Sequence, residues 1–170
     1  MIRNAEEKDI EDILDIFNYA ILNTTAIYEY KIHTLEDRKQ WYKEKMQKGY
    51  PLLVFEEDNK VVGYATFGSF RAWPAFKYTI EHSVYVHKDY RNRGIGTKLL
   101  RELIKTADEK GYATLVAAID SLNENSIKIH EKIGFKYSGT VTKAGYKFGK
   151  WLDLVFYQLE LAGPKNPIEE

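Results

Sequence analysis

The chain has 170 residues, of which 44% are hydrophobic, 29% charged and 14% aromatic, the composition of about one globular domain rather than of a disordered or fibrous chain. Lysine plus arginine number 25, aspartate plus glutamate also 25, and cysteine is absent. The balance lacks the basic excess of a dedicated nucleic-acid binder, and the missing thiols exclude disulfides, iron–sulfur clusters and a cysteine nucleophile. Residues 1–9 are polar and acidic, without the basic start and apolar run of a secretory signal. No apolar stretch approaches the roughly 20 residues needed to cross a bilayer, so a cytoplasmic protein without a membrane partner is expected.

Apolar residues Ile10, Ile13, Leu14, Phe17, Ala20 and Ile21 recur at helical spacing and predict a helix over 7–22. Thr34-Leu35-Glu36-Asp37 has the form of a capping box and opens a second helix containing Trp41, stopped by Gly49 and Pro51. Strands are predicted over 52–55 and 61–67, joined by the polar turn Glu57-Asp58-Asn59-Lys60. An aromatic-rich loop, 69–77, leads to a strand over 78–86. A helix over 94–110 carries Leu99, Leu100, Leu103 and Ile104 on one side and ends at Gly111. A strand over 113–119 and a short helix over 125–133, ended by Gly134, come next. Strands over 135–138 and 151–161 close the series, with the basic and aromatic residues from Lys143 to Lys150 read as the turn between them. The order is that of a single α/β domain spanning 1–161, with a frayed Gly/Pro-containing tail over 162–170.

The segment richest in chemical meaning follows the strand that ends at Val86. A basic loop containing Arg91 and Arg93 runs into a helix through Gly94-Ile95-Gly96-Thr97. A helix N-terminus leaves backbone N–H groups unpaired and carries a positive dipole end, so it favours an anion. Glycines at 94 and 96 let a diphosphate approach the backbone, and the arginines add charge-assisted contacts. The spacing is neither a Walker A loop nor a G-x-G-x-x-G fingerprint.

Arg91-x-x-Gly94-x-Gly96 after a strand, with Asn123 and Gly134-Phe135 downstream, resembles the acetyl-CoA site of the GNAT superfamily of N-acyltransferases. Further stretches tighten the likeness: Asn23-Thr24-Thr25-Ala26, Phe70-Arg71, Pro74-Ala75-Phe76, Tyr78-Thr79-Ile80-Glu81, Ser83-Val84-Tyr85-Val86, and the run from Ala144 to Asp153. These resemble phosphinothricin N-acetyltransferases and their methionine sulfoximine-acetylating relatives, over roughly residues 2–161. The resemblance implies a mixed, mostly antiparallel sheet flanked by helices, acetyl-CoA as co-substrate, and a homodimer. It implies direct transfer of acetyl to the primary amine of a small amino acid or analogue.

By the same resemblance the amides of Asn92, Arg93, Gly94, Ile95, Gly96 and Thr97 hold the diphosphate, with Arg91 beside them. Val84, Tyr85 and Val86 pair with the pantetheine arm, the Val86 N–H polarises the thioester carbonyl, and Asn123 binds the cofactor from across the cleft. Glu81 is the implied general base for the amine. His130 stands where many members carry a tyrosine that protonates the CoA thiolate, a task histidine can perform near neutral pH. Arg71 can pair with a carboxylate, and Tyr28, Trp73 and Tyr78, with Phe70 and Phe76, supply an apolar wall to the acceptor pocket. Trp73 occupies a position where phosphinothricin-type enzymes often carry a second arginine, which leaves room for a less anionic amine. Other acceptors of the same fold (a protein N-terminus, a polyamine, an aminoglycoside) and a non-catalytic CoA-binding sensor remain as rivals. His33, His82, His87 and His130 show no metal-ligand spacing, so no metal is expected.

Overall fold

The structure, a computed structural model, describes residues 1–169. Seven strands and four α-helices follow one another: β1 (Ile2–Asn4), α1 (Ile10–Asn23), α2 (Leu35–Gln47), β2 (Leu52–Glu57), β3 (Lys60–Ser69), β4 (Thr79–Val86), α3 (Ile95–Glu109), β5 (Thr114–Asp120), α4 (Glu124–Ile133), β6 (Lys136–Lys147) and β7 (Lys150–Glu160). The chain forms two compact units, each made of two separated segments. One comprises Met1–Gly68 and Ser83–Leu103, the other Ser69–His82 and Ile104 onward. The chain passes between the units after Gly68, inside β4 and inside α3.

In the first unit the strand order is β1-β2-β3-β4. β1 pairs antiparallel with β2, and β2 with β3 through a two-residue turn whose Asp58 and Asn59 both take positive φ, 52° and 60°. That is the turn geometry whose twist matches a hairpin. Ile10, Ile13, Ile16, Val54, Val61 and Tyr64 form its core. Of the stripe read from α1, Ile10, Ile13, Phe17, Ala20 and Ile21 are buried while Leu14 is half-buried and Ile16 joins the buried set, and Thr34 caps α2 as its sequence demands, with Asp37 N–H donating to Thr34 Oγ1 at 3.2 Å and Thr34 N–H returning to Asp37 Oδ2 at 2.8 Å. β1 was not foreseen, because three residues carry no periodicity. Arg3 pins it, donating to both oxygens of the buried Asp9 at 2.7 and 2.9 Å and also engaging Glu56. Burial works to raise the Asp9 carboxyl, but the Arg3 and backbone hydrogen bonds win and hold it below its ordinary range.

In the second unit the order is β4-β5-β7-β6. β4 runs parallel to β5 over Thr79, Ile80 and Glu81, which face Thr114, Leu115 and Val116. β5 pairs antiparallel with β7, and β7 with β6. β6 was expected to end at Ser138 but extends to Lys147, so residues 143–147 are hairpin arm and only Phe148 and Gly149 of the expected turn remain turn. The turn proper is Phe148-Gly149, both at positive φ. Most of the arm is exposed on both faces, so no hydrophobic alternation marks it. A bulge between Val141 and Gly145, where Lys143 N–H donates to Asp153 Oδ1 at 2.8 Å, breaks the pattern further. The tail expected to fray is tied down in part: Ala162 N–H donates to Asp108 Oδ1 at 3.0 Å and Ile168 N–H to the Tyr78 hydroxyl at 3.1 Å.

Candidate functional site

The strand-to-helix loop lies wholly in the first unit. After Val86 the chain makes one 3-10 turn, Lys88–Tyr90, closed by Asp89 N–H donating to His87 Nδ1 at 3.3 Å. Arg91, Asn92, Arg93 and Gly94 are exposed, and Ile95 is buried as the anchor of α3. Asn92 and Gly94 take φ of 62° and 75°. The first helical hydrogen bond runs from Lys98 N–H to Gly94 O at 3.0 Å, so the amides of Ile95, Gly96 and Thr97 precede the ladder and keep their donors.

The two glycines have different causes. A Cβ at Gly94 would meet nothing within 4 Å, so the backbone angle alone demands glycine there. At Gly96 a Cβ would stand 3.6 Å from Val86 Cγ2 and 3.9 Å from Val84 Cγ1, ordinary contacts, so neither packing nor φ requires a glycine. What the missing side chain leaves is bare amide beside Val84 and Val86. A diphosphate fits this cradle, which is built from backbone donors at the positive end of a helix. A third glycine, not singled out from sequence, supports it: a Cβ at Gly63 of β3 would press on Tyr85 O at 3.1 Å, Leu99 Cδ1 at 3.1 Å and Ile95 Cγ2 at 3.2 Å. Its absence lets β3, β4 and the first turn of α3 close together. The loop arginines are partly engaged, Arg91 Nε with Val86 O at 3.4 Å and Arg93 with Glu57 at 3.1 Å.

The first unit also holds a cavity of about 600 Å³ that the sequence did not announce. Arg38, Trp41 and Lys45 of α2, Tyr64 of β3, and Ser83 and Tyr85 of β4 line it. Tyr28 lies in the same unit, half exposed, next to the cavity-lining Glu29.

Glu81 and His130 belong to the second unit. Glu81 is half-buried, and burial pushes its carboxyl above the ordinary value. His130 is buried and stacks on His82 with ring centroids 5.1 Å apart and planes 7° from parallel. Its Nδ1 stands 2.7 Å from Ser126 O and its Nε2 stands 3.1 Å from His82 Nε2. A carbonyl only accepts, so His130 Nδ1 carries the proton. In the neutral ring Nε2 then accepts, and His82 Nε2–H is its donor. That leaves His82 Nδ1 as a bare lone pair, and it is indeed buried without a partner. Burial, with His130 adding to it, pushes His82 down to about 3; burial lowers His130 as well, opposed by the Ser126 carbonyl. This pairing of residues 48 positions apart was not legible in the sequence.

Asn123 is the N-cap of α4, its Oδ1 accepting from Ser126 N–H at 3.2 Å. Arg71 is exposed, its guanidinium 5.8 Å from the Phe70 ring centre. Trp73 is 65% exposed, and Tyr78 is half-buried with its hydroxyl taken by Ile168. Val84, Tyr85 and Val86 fall with the loop in the first unit. Glu81, Asn123, His130, Arg71, Trp73 and Tyr78 fall in the second. Among the described residues no group of three or more His, Asp or Glu is placed to hold a metal, and no helix is long and apolar enough to cross a membrane.

Comparison with known proteins matches residues 15–135 to the Acetyltransferase (GNAT) family. The L-methionine sulfoximine/L-methionine sulfone acetyltransferase of Salmonella typhimurium is 44% identical over 160 residues, covering 94% of this chain and 94% of its own. The L-amino acid N-acyltransferase MnaT of Escherichia coli is 42% identical over 166 residues, covering 98% of this chain and 96% of its own. YncA of Salmonella typhimurium, solved with its cofactor acetyl-CoA, superposes with a TM-score of 0.95 at 42% identity, over 99% of this chain and 97% of that one.

Proposed function

Given that the chain belongs to the acetyltransferase (GNAT) family and is an acetyltransferase with that fold, we propose that it moves the acetyl group of acetyl-CoA directly to the primary amine of a small amino acid or analogue, of the methionine sulfoximine, methionine sulfone or phosphinothricin type. The observation that carries this reading is the glycine-bared start of α3, where Gly96 answers no demand of the protein's own packing.

Acetyl-CoA supplies an activated thioester. The residues of the chain do the rest. The amides from Asn92 to Thr97, with Arg91 and Arg93, hold the diphosphate. The backbone of Val84, Tyr85 and Val86 aligns the pantetheine arm, and the Val86 N–H donates to the carbonyl oxygen where negative charge develops, an effect strongest in a water-poor site. Asn123 braces the cofactor from α4. Glu81, its carboxyl pushed above its ordinary value by burial, takes the proton from the acceptor ammonium, a role worth roughly 10²–10⁴-fold. His130 is neutral at rest, with Nε2 as its base position beside His82, so it serves the departing sulfur by first taking up at Nε2 the proton that the attacking nitrogen sheds and then giving that proton to the sulfur. Tyr28, Arg71, Trp73 and Tyr78 border the acceptor. With no cysteine in the chain, no cysteine acyl-enzyme is available, and holding both reactants in line supplies much of the acceleration.

The same reading places the protein in the cytoplasm as a homodimer. Exposed Tyr137, Val141, Tyr146, Phe148 and Trp151 on the β6–β7 hairpin give such a dimer an apolar face. Steady-state release of free CoA against a panel of amines tests the activity. Methionine sulfone, methionine sulfoximine and phosphinothricin are expected to turn over faster than spermidine, an aminoglycoside or a peptide N-terminus. A flat response to every amine, with CoA still bound, would instead identify a sensor.

A further inference from the structure

Acetyl transfer by Glu81 and His130 leaves a third titratable group, His82, without a task. His82 and His130 belong to the same unit, on β4 and α4. Their ring planes lie 7° from parallel, with Nε2 facing Nε2 at 3.1 Å. The Phe135 ring stands edgewise to both, its centre 5.8 Å from that of His82 and 5.0 Å from that of His130.

The hydrogen bonds allow one arrangement of protons. His130 Nδ1–H donates to Ser126 O at 2.7 Å, and His82 Nε2–H donates to His130 Nε2. In the reverse arrangement a neutral His130 would turn a lone pair toward the Ser126 carbonyl. The His82 proton would then sit on Nδ1, which is buried without a partner, so an N–H there would lack any acceptor. Among the described residues no carboxylate bonds to either ring. Alternation along β4 turns Glu81 to the opposite face from His82. Glu131 of α4 accepts from the Tyr157 hydroxyl at 3.1 Å, Glu124 is exposed 3.8 Å from Lys128, and Asp120 at the end of β5 accepts from Leu122 N–H at 3.1 Å. His82 is thus the group that sets the state of His130 Nε2, and a hydrogen bond donated to a neutral base opposes its protonation.

We propose that His82 is a positioning residue for acetyl transfer, its Nε2–H fixing the His130 ring and keeping Nε2 an uncharged acceptor until the reacting amine brings its own N–H there. This rests on the function proposed above. The proton shed by the attacking nitrogen displaces the His82 hydrogen bond at His130 Nε2 and then leaves on the sulfur. His82 keeps its own proton throughout and donates again afterwards.

Two variants separate the donor from the ring. His82→Phe keeps a flat ring and removes the N–H. His82→Gln restores an N–H, because a glutamine amide nitrogen reaches as far along its side chain as histidine Nε2. The full chain with nitrogen-15 histidine is followed by NMR, a readout that needs no turnover. The wild type should show a coupling across the hydrogen bond between the two Nε2 nuclei at neutral pH. In His82→Phe proton uptake by His130 should move up by about one pH unit, the size of one lost hydrogen bond to the neutral form. In His82→Gln it should stay at the wild-type position. With methionine sulfone as acceptor, kcat should fall about tenfold in His82→Phe with KM little changed, and recover in His82→Gln. The wild-type coupling and the glutamine variant keep the test alive if the phenylalanine variant does not fold. A protein that turns over no amine yet shows the coupling would refute the acetyl-transfer reading and leave the pairing intact. Absence of the coupling, an unmoved His130 titration in His82→Phe, or a glutamine variant as impaired as the phenylalanine one would overturn the proposal.

Discussion

The loop at the start of α3 and the titratable groups Glu81, His82 and His130 are built on opposite principles. The loop is exposed, its donors are backbone amides, and its only charged side chains sit at the margin. The other group is buried or half-buried, and each of its candidate functional atoms belongs to a titratable side chain shifted by its burial. A site of amides offers the same charge at every pH and depends on the absence of side chains. A site of buried acids and bases depends on their presence and must answer to pH. The two can therefore be broken separately.

The largest effect is expected where a side chain fills the cradle. Gly96→Glu places a carboxylate among the amides proposed to hold the diphosphate, and calorimetry should show CoA affinity reduced more than a hundredfold. The thermal transition should barely move, because a Cβ at that position meets only ordinary contacts with Val84 and Val86. Retained CoA binding would remove the cradle from the mechanism.

Glu81→Gln attacks the other principle. Turnover near neutral pH should fall a hundredfold or more, with less loss at high pH, where the acceptor amine is already deprotonated. Stability should move the opposite way. Burial raises the Glu81 carboxyl in the folded chain, so its ionisation opposes folding. That cost is absent below the ordinary carboxylate value, where both states are protonated, and fully present above the raised one. The glutamine variant should thus match the wild type in acid and exceed it at neutral pH, as followed by denaturant midpoints. An unchanged pH–rate profile would exclude Glu81 as base.

A smaller but distinctive effect belongs to His82. Above its ordinary value of 6.5 both folded and unfolded chains hold it neutral, and it contributes nothing to pH dependence. Below 6.5 the unfolded chain takes up a proton and the folded chain resists until about 3, so stability declines through that window. His82→Leu should flatten the decline between pH 6.5 and 4 in thermal melts, whatever it costs at neutral pH. Equal slopes for the two proteins would mean that the buried pair is not what makes the fold acid-sensitive.

The same contrast explains what the sequence disclosed. Glycines 94 and 96, the Thr34 capping box and the stripe of α1 are local signals whose meaning lies within a few residues, and each is found where expected. Glu81 is named by the family resemblance, which places a glutamate three residues before Val84 in the same strand. The stacking of His82 on His130 needs two elements 48 residues apart, and no spacing encodes it. Arg38 reads as one more polar residue on a polar helix. Only the fold puts it between Phe17 and Trp41, where its charge becomes buried rather than solvated. β1 and the outer part of β6 were missed for the reverse reason: one is too short and the other too exposed to carry a pattern.

The smallest expected effect sharpens the claim that backbone, not side-chain charge, makes the cradle. Arg93 already spends its guanidinium on Glu57 at 3.1 Å and lies over the Tyr90 ring at 4.8 Å. Such exposed pairs are worth little and are screened by salt. Arg93→Ala should weaken CoA by only a few-fold, with the difference shrinking as ionic strength rises, because the amides of Ile95, Gly96 and Thr97 remain. Glu57→Gln releases the arginine and should tighten CoA slightly at low salt. Calorimetric titrations of both variants at two salt concentrations decide the matter. A loss for Arg93→Ala as large as that for Gly96→Glu, persisting in high salt, would make the cradle a side-chain site like the one around Glu81 and erase the contrast.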